Sequence, residues 1–251
     1  MAFRSKILVL ILAALLGWSI HWSTKQMAMS GSQLNDFAVR EDIEPSVVKV
    51  INWKANTAGT GFVIEDRQGK RYILTNRHVC EGGDKFEQEK YDILRIPAMV
   101  VKVSRKYDLC LMTAPTGMRP LNLTEEFYWG QMAYIAGHPN GYRFHVTEGK
   151  VADITLSEVS YKIGLFTEQE CLQNKGVVKD AVGEEEVPTM DRICETINRY
   201  IVVSALTEGG DSGSPLVTSD GEVIGIIAQK DHNHWGLAVP VGDIKDFLEE
   251  K

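Results

Sequence analysis

Short apolar runs rich in β-branched residues recur along the chain from Val47 onward, and they constrain the fold more than any other feature. Turn residues, mainly glycine, proline, asparagine and aspartate, stand between these runs or at their edges. Runs of this length, bounded by such residues, are typical of strands. The predicted strands cover residues 47–53, 59–65, 72–76, 99–104, 109–113, 132–137, 200–206, 215–219, 222–229 and 236–241. The pattern therefore predicts an all-β fold.

Two local signals add detail to this prediction. Asp220 and Gly221 separate two predicted strands, and both residue types tolerate the positive φ of a type I′ turn, so we expect a hairpin there. The end of the chain differs, because Ile244, Phe247 and Leu248 recur at helical spacing. A short helix is therefore expected over residues 242–248.

The composition excludes several classes of protein. The chain has 251 residues, of which 44% are hydrophobic and 24% charged, enough for one large domain or two small lobes around a core. Its formal net charge of −7 offers no basic surface for phosphates, so nucleic acid is not expected as a partner. The four cysteines form no C-x-x-C pair, so neither a zinc knuckle nor a redox motif is indicated.

Residues 1–22 have the features of an export segment. Arg4 and Lys6 precede a charge-free apolar run from Ile7 to Ile20, which is short for a membrane span and suits a signal-peptide core. No good small-x-small cleavage site follows, which favours an uncleaved anchor; a cleaved signal peptide and a buried helix are the alternatives. The remaining chain is expected to be exported, in the periplasm or another extracytoplasmic space, possibly tethered to the membrane.

The segments on either side of the strand pattern differ in composition from it. Residues 23–42 are small and polar and are predicted to be a linker, with folded structure from about Ile43. Residues 166–196 are strongly acidic and are predicted to be a surface insertion. Cys171 and Cys194 lie near the ends of this segment. From the sequence they could form a disulfide or remain two free thiols. We favour a solvated loop over a substrate gate or a docking surface.

The most informative motif is EGGDSGSPLV, at residues 208–217. Ser212 stands between glycines on a turn that leads into a strand, where a substrate carbonyl can approach and backbone N–H groups can converge. Serine becomes a nucleophile only when a histidine, itself oriented by a carboxylate, removes its proton. His78, in TNRHVC, and Asp108, in YDLCLM, supply both groups. Without such a histidine and aspartate, the Gly-Asp-Ser-Gly sequence by itself could be an ordinary β-turn with no catalytic role.

Together these motifs resemble the trypsin-like serine endopeptidases of the chymotrypsin fold, and among them the HtrA-like branch. The order His, Asp, Ser is the one that this fold uses. The similar segments are PSVVKV (45–50), GTGFVIEDRQGKRYILTNRHV (59–79), YDLCLM (107–112), GQMAYIAGHPNGYRFHVTEGKV (130–151), GDSGSPLVTSDGEVIGI (210–226) and WGLAVPVGDIKDFL (235–248). The resemblance implies two packed six-stranded antiparallel β-barrels, over residues 43–120 and 121–251, the second carrying the insertion and the terminal helix.

The resemblance also implies a role for each site residue. Ser212 would attack the scissile carbonyl of a protein or peptide substrate, His78 would act as general base and then acid, and Asp108 would orient the imidazole. The N–H groups of Gly210 and Ser212 would form the oxyanion hole. Asp211 would shape the serine turn. Such a mechanism uses neither a metal nor an organic cofactor. The remaining candidate histidines are assigned structural roles: His138, His145, His232 and His234.

Substrate preference follows less directly from the resemblance. Leu206 stands where a trypsin-like pocket carries an acidic residue, so strict cleavage after Lys or Arg is not expected. Ile227, Ala228 and Gln229 would form the opposite wall of the pocket. The HtrA-like resemblance implies small or medium aliphatic side chains before the cut. No PDZ module follows the terminal helix in this sequence, which leaves the oligomeric state open.

Departures from the family pattern leave the cysteines and the activity open to other interpretations. Cys80 comes two residues after His78, so a disulfide of the family cannot be transferred; a Cys80–Cys110 bond and two buried thiols are both conceivable. Ser214 replaces the glycine that usually follows Ser-Gly. The alternatives to an enzyme are a catalytically silent peptide-binding protein of the same fold and a membrane-tethered adaptor that uses the acidic insertion.

Overall fold

The computed structural model describes residues 39–81, 86–90, 94–104, 106–115, 117–163, 176–180 and 192–250, and only the backbone of residues 90, 94, 154–163, 176–180 and 192–198. The predicted export segment at 1–22 lies outside these ranges. Residues 39–43 are helical, and the side chains of Val39 and Ile43 are buried in the core. The predicted linker over 23–42 is therefore too long at its C-terminal end. Within the described ranges, no helix has the length and apolar character needed to cross a membrane.

The first half of the described chain forms one antiparallel sheet. Its strands are β1 (Val47–Asn52), β2 (Thr57–Glu65), β3 (Arg71–Thr75), β4 (Phe86–Lys90), β5 (Leu94–Ala98), β6 (Val100–Val103) and β7 (Cys110–Thr113). They are ordered β5-β4-β1-β2-β3-β7-β6, with the one-turn helix α1 (Arg77–Cys80) following β3. Among these strands, no pairing joins β5 to β6. The first sheet is thus a curled half-barrel, and the predicted closed six-stranded barrel is wrong for it.

The second half forms a closed barrel. Its strands are β8 (Met132–Gly137), β9 (His145–Ile163), β10 (Gly176–Asp180), β11 (Arg192–Leu206), β12 (Pro215–Thr218), β13 (Val223–Lys230) and β14 (Trp235–Pro240). Their order is β10-β11-β14-β13-β12-β8-β9, and an additional β11–β9 pairing closes six of them, leaving β10 outside. Helix α2 (Val241–Glu249) buries Ile244 and Phe247. The all-β prediction, one six-stranded barrel and the terminal helix are confirmed.

Four strands lie where the sequence predicted none. β4 and β5 carry charged residues that obscure the apolar pattern, and β9 overlaps none of the predicted runs. The predicted insertion at 166–196 contains β10 and the first part of β11, which pair from Gly176↔Thr196 to Asp180↔Arg192. The predicted loop is therefore wrong for these two stretches, because their backbone groups form the hydrogen bonds of an antiparallel strand pair. Cys171 lies outside the described residues, so a bond to Cys194 and two free thiols both stay open.

The hairpin predicted at Asp220 and Gly221 is confirmed, but its turn type is wrong. Strands β12 and β13 pair on either side of it. Gly221 has a φ of +78°, whereas Asp220 is not among the residues with positive φ. The Thr218 N–H donates to Glu222 O at 2.9 Å, so three residues, 219–221, lie between the hydrogen-bonded pair. A two-residue type I′ turn needs positive φ at both central positions, and this longer turn needs it only at the glycine.

Candidate active site

His78 lies on α1, a single helical turn that begins where β3 ends. One turn has little stability of its own, and the side chain of Asn76 makes no capping bond to it. Neighbouring elements hold the turn instead. The Asn76 Nδ2 donates to Asp108 O at 3.0 Å, and Asn52 Nδ2 donates to Val79 O at 3.3 Å. The position of His78 is therefore set by contacts from β1 and from the segment before β7.

Asp108 binds His78 through both of its carboxylate oxygens. The His78 backbone N–H donates to Oδ1 at 3.0 Å, and the ring Nδ1 lies 2.7 Å from Oδ2. A carboxylate beside Nδ1 favours the proton on that nitrogen, which leaves Nε2 free to accept one. The structure thus brings together two of the three predicted catalytic residues, in the orientation that a general base requires.

A disulfide ties the same two segments together. Cys80 ends α1, Cys110 begins β7, and the two are bonded with their Cα atoms 6.6 Å apart. Each cysteine lies two residues after a member of the His78–Asp108 pair. Of the two possibilities that the sequence left open, the structure has the bond and not two buried thiols.

Ser212 lies on a turn that requires two glycines. Gly210 and Gly213 have φ angles of +92° and +88°. A Cβ on Gly213 would lie 1.9 Å from Thr60 O, and a Cβ on Gly210 would lie 2.4 Å from His138 O. Any other residue at either position would therefore combine an unfavourable backbone conformation with a clash.

Hydrogen bonds from both sheets hold the serine turn. The Gly213 N–H donates to Ile227 O at 2.8 Å, and the Ile227 N–H donates to Ser214 O at 2.9 Å, which joins the turn to β13. The Thr60 N–H, from β2, donates to Ser212 O at 2.7 Å. The Ser212 hydroxyl itself donates to Ala228 O at 3.4 Å.

The turn also presents two unused donors. Among the described residues, the N–H groups of Gly210 and Ser212 have no hydrogen-bond acceptor. The Gly209 carbonyl accepts a hydrogen bond from the Asn140 N–H. Because the C=O and N–H of a trans peptide point in opposite directions, this bond turns the Gly210 N–H away from Asn140. Such unpaired N–H groups beside a serine are suited to bind a developing oxyanion.

The histidine and serine segments meet at Gly59 of β2. A Cβ on Gly59 would lie 2.8 Å from Val79 Cγ2 and 3.1 Å from Ser212 O. The absence of a side chain there lets the residue after His78 approach the serine turn. All three predicted catalytic residues therefore gather where the first sheet faces the second.

Asp211 is a buried carboxylate next to the candidate nucleophile. Its Oδ2 accepts a hydrogen bond from the Glu208 N–H at 2.9 Å, which closes the turn internally. Burial raises its pKa to about 6, and the nearby Glu208 carboxylate acts in the same direction. This agrees with the sequence-based expectation that Asp211 shapes the serine turn.

The predicted pocket residues have different surroundings. The Leu206 side chain is 65% exposed and pairs in register with Trp235, whereas Ile227 is fully buried in the barrel core. Ala228 is also buried and Gln229 is partly exposed. The sequence analysis missed an ion pair nearby, in which Lys230 Nζ lies 3.1 Å from Glu208 Oε2 and 3.1 Å from His234 Nδ1.

Thr60 is a further residue near the candidate site that the sequence analysis missed. It stands inside the matched segment GTGF, but nothing in the local pattern distinguishes its hydroxyl from that of other strand threonines.

The described residues contain no group of three or more His, Cys, Asp and Glu side chains arranged to hold a metal ion.

A closed antiparallel barrel facing a curled sheet, with a serine turn beside a histidine–aspartate pair, defines the class of the trypsin-like peptidases. The family model described as "Trypsin-like peptidase domain" matches residues 59–226. The chain belongs to this family, which is one of serine-type endopeptidases.

Within the family, the chain is similar to the HtrA proteases. It is 25% identical over 248 residues to the serine protease Do-like HtrA of Bacillus subtilis, covering 87% of this chain and 48% of that protein. It is 27% identical over 197 residues to the serine protease HTRA1 of Xenopus laevis, covering 77% of this chain and 36% of the relative. The chain thus spans about half or less of the length of these relatives.

A solved structure shares the fold. The active form of the Rv3671c protease from M. tuberculosis superposes with a TM-score of 0.65 at 21% identity, covering 87% of this chain and 86% of that chain. At this level of identity the likeness concerns the fold alone.

Proposed function

We propose that this protein is a serine endopeptidase that cleaves protein substrates through an acyl-enzyme intermediate. The observation that carries the proposal is the serine turn, which places the Ser212 hydroxyl beside two N–H groups that have no acceptor among the described residues. Two N–H groups that converge beside a serine hydroxyl are the arrangement that stabilises a developing oxyanion.

The chemistry follows from these positions. Ser212 Oγ forms a bond to the scissile carbonyl carbon while its proton passes to His78 Nε2. Asp108 stabilises the imidazolium through Nδ1, and the carbonyl oxygen, now negative, accepts hydrogen bonds from the Gly210 and Ser212 N–H groups. The proton then moves from His78 to the leaving amine as the C–N bond breaks. A water molecule then attacks the acyl carbon while its proton passes to His78. The bond from Ser212 Oγ to that carbon breaks, Ser212 takes the proton from His78, and the carboxylic acid is released.

For this reaction the serine hydroxyl turns from Ala228 O toward the His78 ring. Rotation about χ1 of Ser212 redirects the hydroxyl, and catalytic hydrogen bonds commonly tighten when substrate binds. The His78–Asp108 contact at 2.7 Å supports a preformed base.

We also propose that the substrates are unfolded segments with an uncharged side chain before the cut. Leu206 supports this proposal, because it places no carboxylate where a basic side chain would need one. The Lys230–Glu208 ion pair neutralises both of these charges near the serine turn. A library of peptides that differ only at this position measures the preference.

We propose that the protein works outside the cytoplasm, tethered by residues 1–22. The Cys80–Cys110 disulfide supports this location, because such bonds persist in oxidising compartments. A reporter enzyme that is active only after export, fused behind residue 38, tests it. Reporter activity is expected with the native segment, and an inactive reporter would contradict the proposal.

The proposed activity is tested by labelling the full chain with a fluorophosphonate, which reacts with activated serines. Wild type is expected to be labelled, and Ser212→Ala and His78→Ala are expected to lose the label while keeping a folded circular-dichroism spectrum. A folded wild type that takes no label would favour the silent peptide-binding alternative.

A further inference from the structure

Thr60, on β2 of the first sheet, forms hydrogen bonds to the serine turn through both its side chain and its backbone. It is fully buried on β2. Its hydroxyl donates to Gly210 O at 2.8 Å and accepts from the His138 N–H at 3.0 Å. Its backbone N–H donates to Ser212 O at 2.7 Å, and its carbonyl accepts from Thr75 Oγ1 at 2.6 Å. One residue thus contacts the serine turn, the end of β8 and the end of β3.

Gly210 is the part of the turn that most needs such support. Glycine moves between left- and right-handed conformations at little cost, so its N–H direction is not fixed by the residue itself. Two hydrogen bonds fix it here. The peptide before Gly210 is held by Asn140, which donates to Gly209 O, and the peptide after it is held by the Thr60 hydroxyl.

We infer that Thr60 is a positioning residue for the oxyanion hole, acting through its hydroxyl on the orientation of Gly210. The inference rests on the proposed endopeptidase function. The hydroxyl fixes the Gly210 carbonyl and, together with the Asn140 bond to the preceding peptide, restricts the φ and ψ of Gly210 and so the direction of the N–H that receives the negative oxygen. The bond from the Thr60 N–H to Ser212 O comes from the backbone, so changes in the side chain leave the nucleophile anchored.

Thr60→Val tests this role, because valine matches the shape of threonine and lacks the hydroxyl. With a misdirected N–H, kcat is expected to fall about 10- to 100-fold with KM within about threefold, since removing an oxyanion-hole donor costs about 100- to 1,000-fold. Thr60→Ser keeps the hydroxyl and is expected to retain kcat within about threefold. Assays are run below the unfolding temperature of each variant.

Thr218→Val is the matched control. Thr218 is also a buried threonine, and its hydroxyl accepts the N–H groups of Asp220 and Glu222 in the distant β12–β13 hairpin. This substitution is expected to lower the unfolding temperature without changing kcat. A fall in kcat equal to that of Thr60→Val would show a merely structural effect and would overturn the inference.

A peptide aldehyde separates positioning from folding. Ser212 Oγ adds to the aldehyde carbon, its proton passes to His78, and the oxygen becomes an oxyanion that uses the same N–H groups. The inhibition constant is expected to rise in Thr60→Val by the factor by which kcat/KM falls. Partial unfolding would lower the active fraction and leave the inhibition constant unchanged.

The outcomes distinguish the two proposals. Wild type that neither hydrolyses peptides nor binds the aldehyde would overturn the proposed function itself. Active wild type with an equally active, folded Thr60→Val would overturn only the role of Thr60. If Thr60→Val is unfolded at 10 °C, Thr60→Cys replaces it, because a thiol is a weaker donor. A smaller fall in kcat is then expected, and an unchanged kcat overturns the inference.

Discussion

At the scale of single residues, Asp211 couples pH to the stability of the fold. Its folded pKa is raised by burial to about 6 from 3.8. Between these values the folded state keeps a proton that the unfolded state has released, so the free energy of unfolding falls as pH rises from about 4 to 6. The stability that this group contributes is fully present below pH 4 and is lost above pH 6.

Asp211→Asn is expected to remove this dependence, because the amide oxygen still accepts the Glu208 N–H and never ionises. The difference in unfolding free energy, variant minus wild type, should increase by up to about 3 kcal/mol between pH 4 and pH 7.5. Urea denaturation at both pH values measures it. A difference that does not change with pH would show that the carboxylate is not perturbed by burial.

At the scale of elements, a buried ion pair links β1 and β4 to the turn after β8. Lys49 Nζ lies 2.6 Å from Glu89 Oε1 and donates to Gly141 O at 3.1 Å. Arg95 of β5 binds the other Glu89 oxygen at 2.7 Å. The hydrogen bond from Lys49 lowers the pKa of Glu89. The charged carboxylate therefore stabilises the fold above its unfolded pKa, and this stabilisation is lost as pH falls through the lower folded value.

Glu89→Gln is expected to lower the free energy of unfolding at pH 7 by about 3 kcal/mol, because it leaves the Lys49 ammonium buried without a counter-charge. The loss should shrink in acid, where Glu89 itself becomes neutral. Glu65→Gln is the matched control, since Glu65 pairs with Arg71 at the surface, and such pairs contribute under about 1 kcal/mol. Equal losses in the two variants would contradict a buried ion pair.

The disulfide between α1 and β7 has a stabilising effect of its own. Its cysteines are 30 residues apart in sequence, and closing a loop of that length removes about 3 to 4 kcal/mol of unfolded-state entropy. Cys80→Ala/Cys110→Val should lower the free energy of unfolding by about that amount in urea titrations without reductant. Non-reducing peptide mapping of wild type should yield the linked Cys80 and Cys110 peptides. Two free thiols at these positions would contradict the structure.

Sequence patterns predicted the strands with uninterrupted apolar runs and missed β4, whose Glu89 is buried in an ion pair. β4 reads FEQEK, a polar segment, yet Glu89 is buried because Lys49 faces it from β1. A partner distant in sequence cannot be read from the strand itself. The acidic composition of residues 166–196 likewise concealed β10, whose pairing partner is β11.

The candidate site was predictable where function requires a particular residue type. Ser212, His78 and Asp108 stand in short motifs whose chemistry is specific, and Gly210 and Gly213 have the positive φ that such a turn needs. Thr60 was not predictable, because its role depends on Gly210 approaching from the other sheet. Ile227 was proposed for the pocket from its position alone, and its side chain is in the core.

At the scale of the whole molecule, the candidate site belongs to neither sheet alone. His78 and Asp108 are positioned by the curled first sheet, and Ser212 by the closed second barrel. Contacts from β2 and β1 to the serine turn and to Gly141 join the two halves. Catalysis by this arrangement would depend on the junction as much as on the three side chains.

The most direct test of this account is hydrolysis of an unfolded protein by the full chain, with cleavage sites identified by mass spectrometry. Wild type is expected to release fragments. Ser212→Ala is expected to lose at least about 1,000-fold in rate, and Asp108→Asn about 10,000-fold, because the imidazole would then have the wrong tautomer. Cleavage that survives Ser212→Ala, or a folded wild type that cleaves nothing, would contradict the assignment of this site as that of a serine endopeptidase.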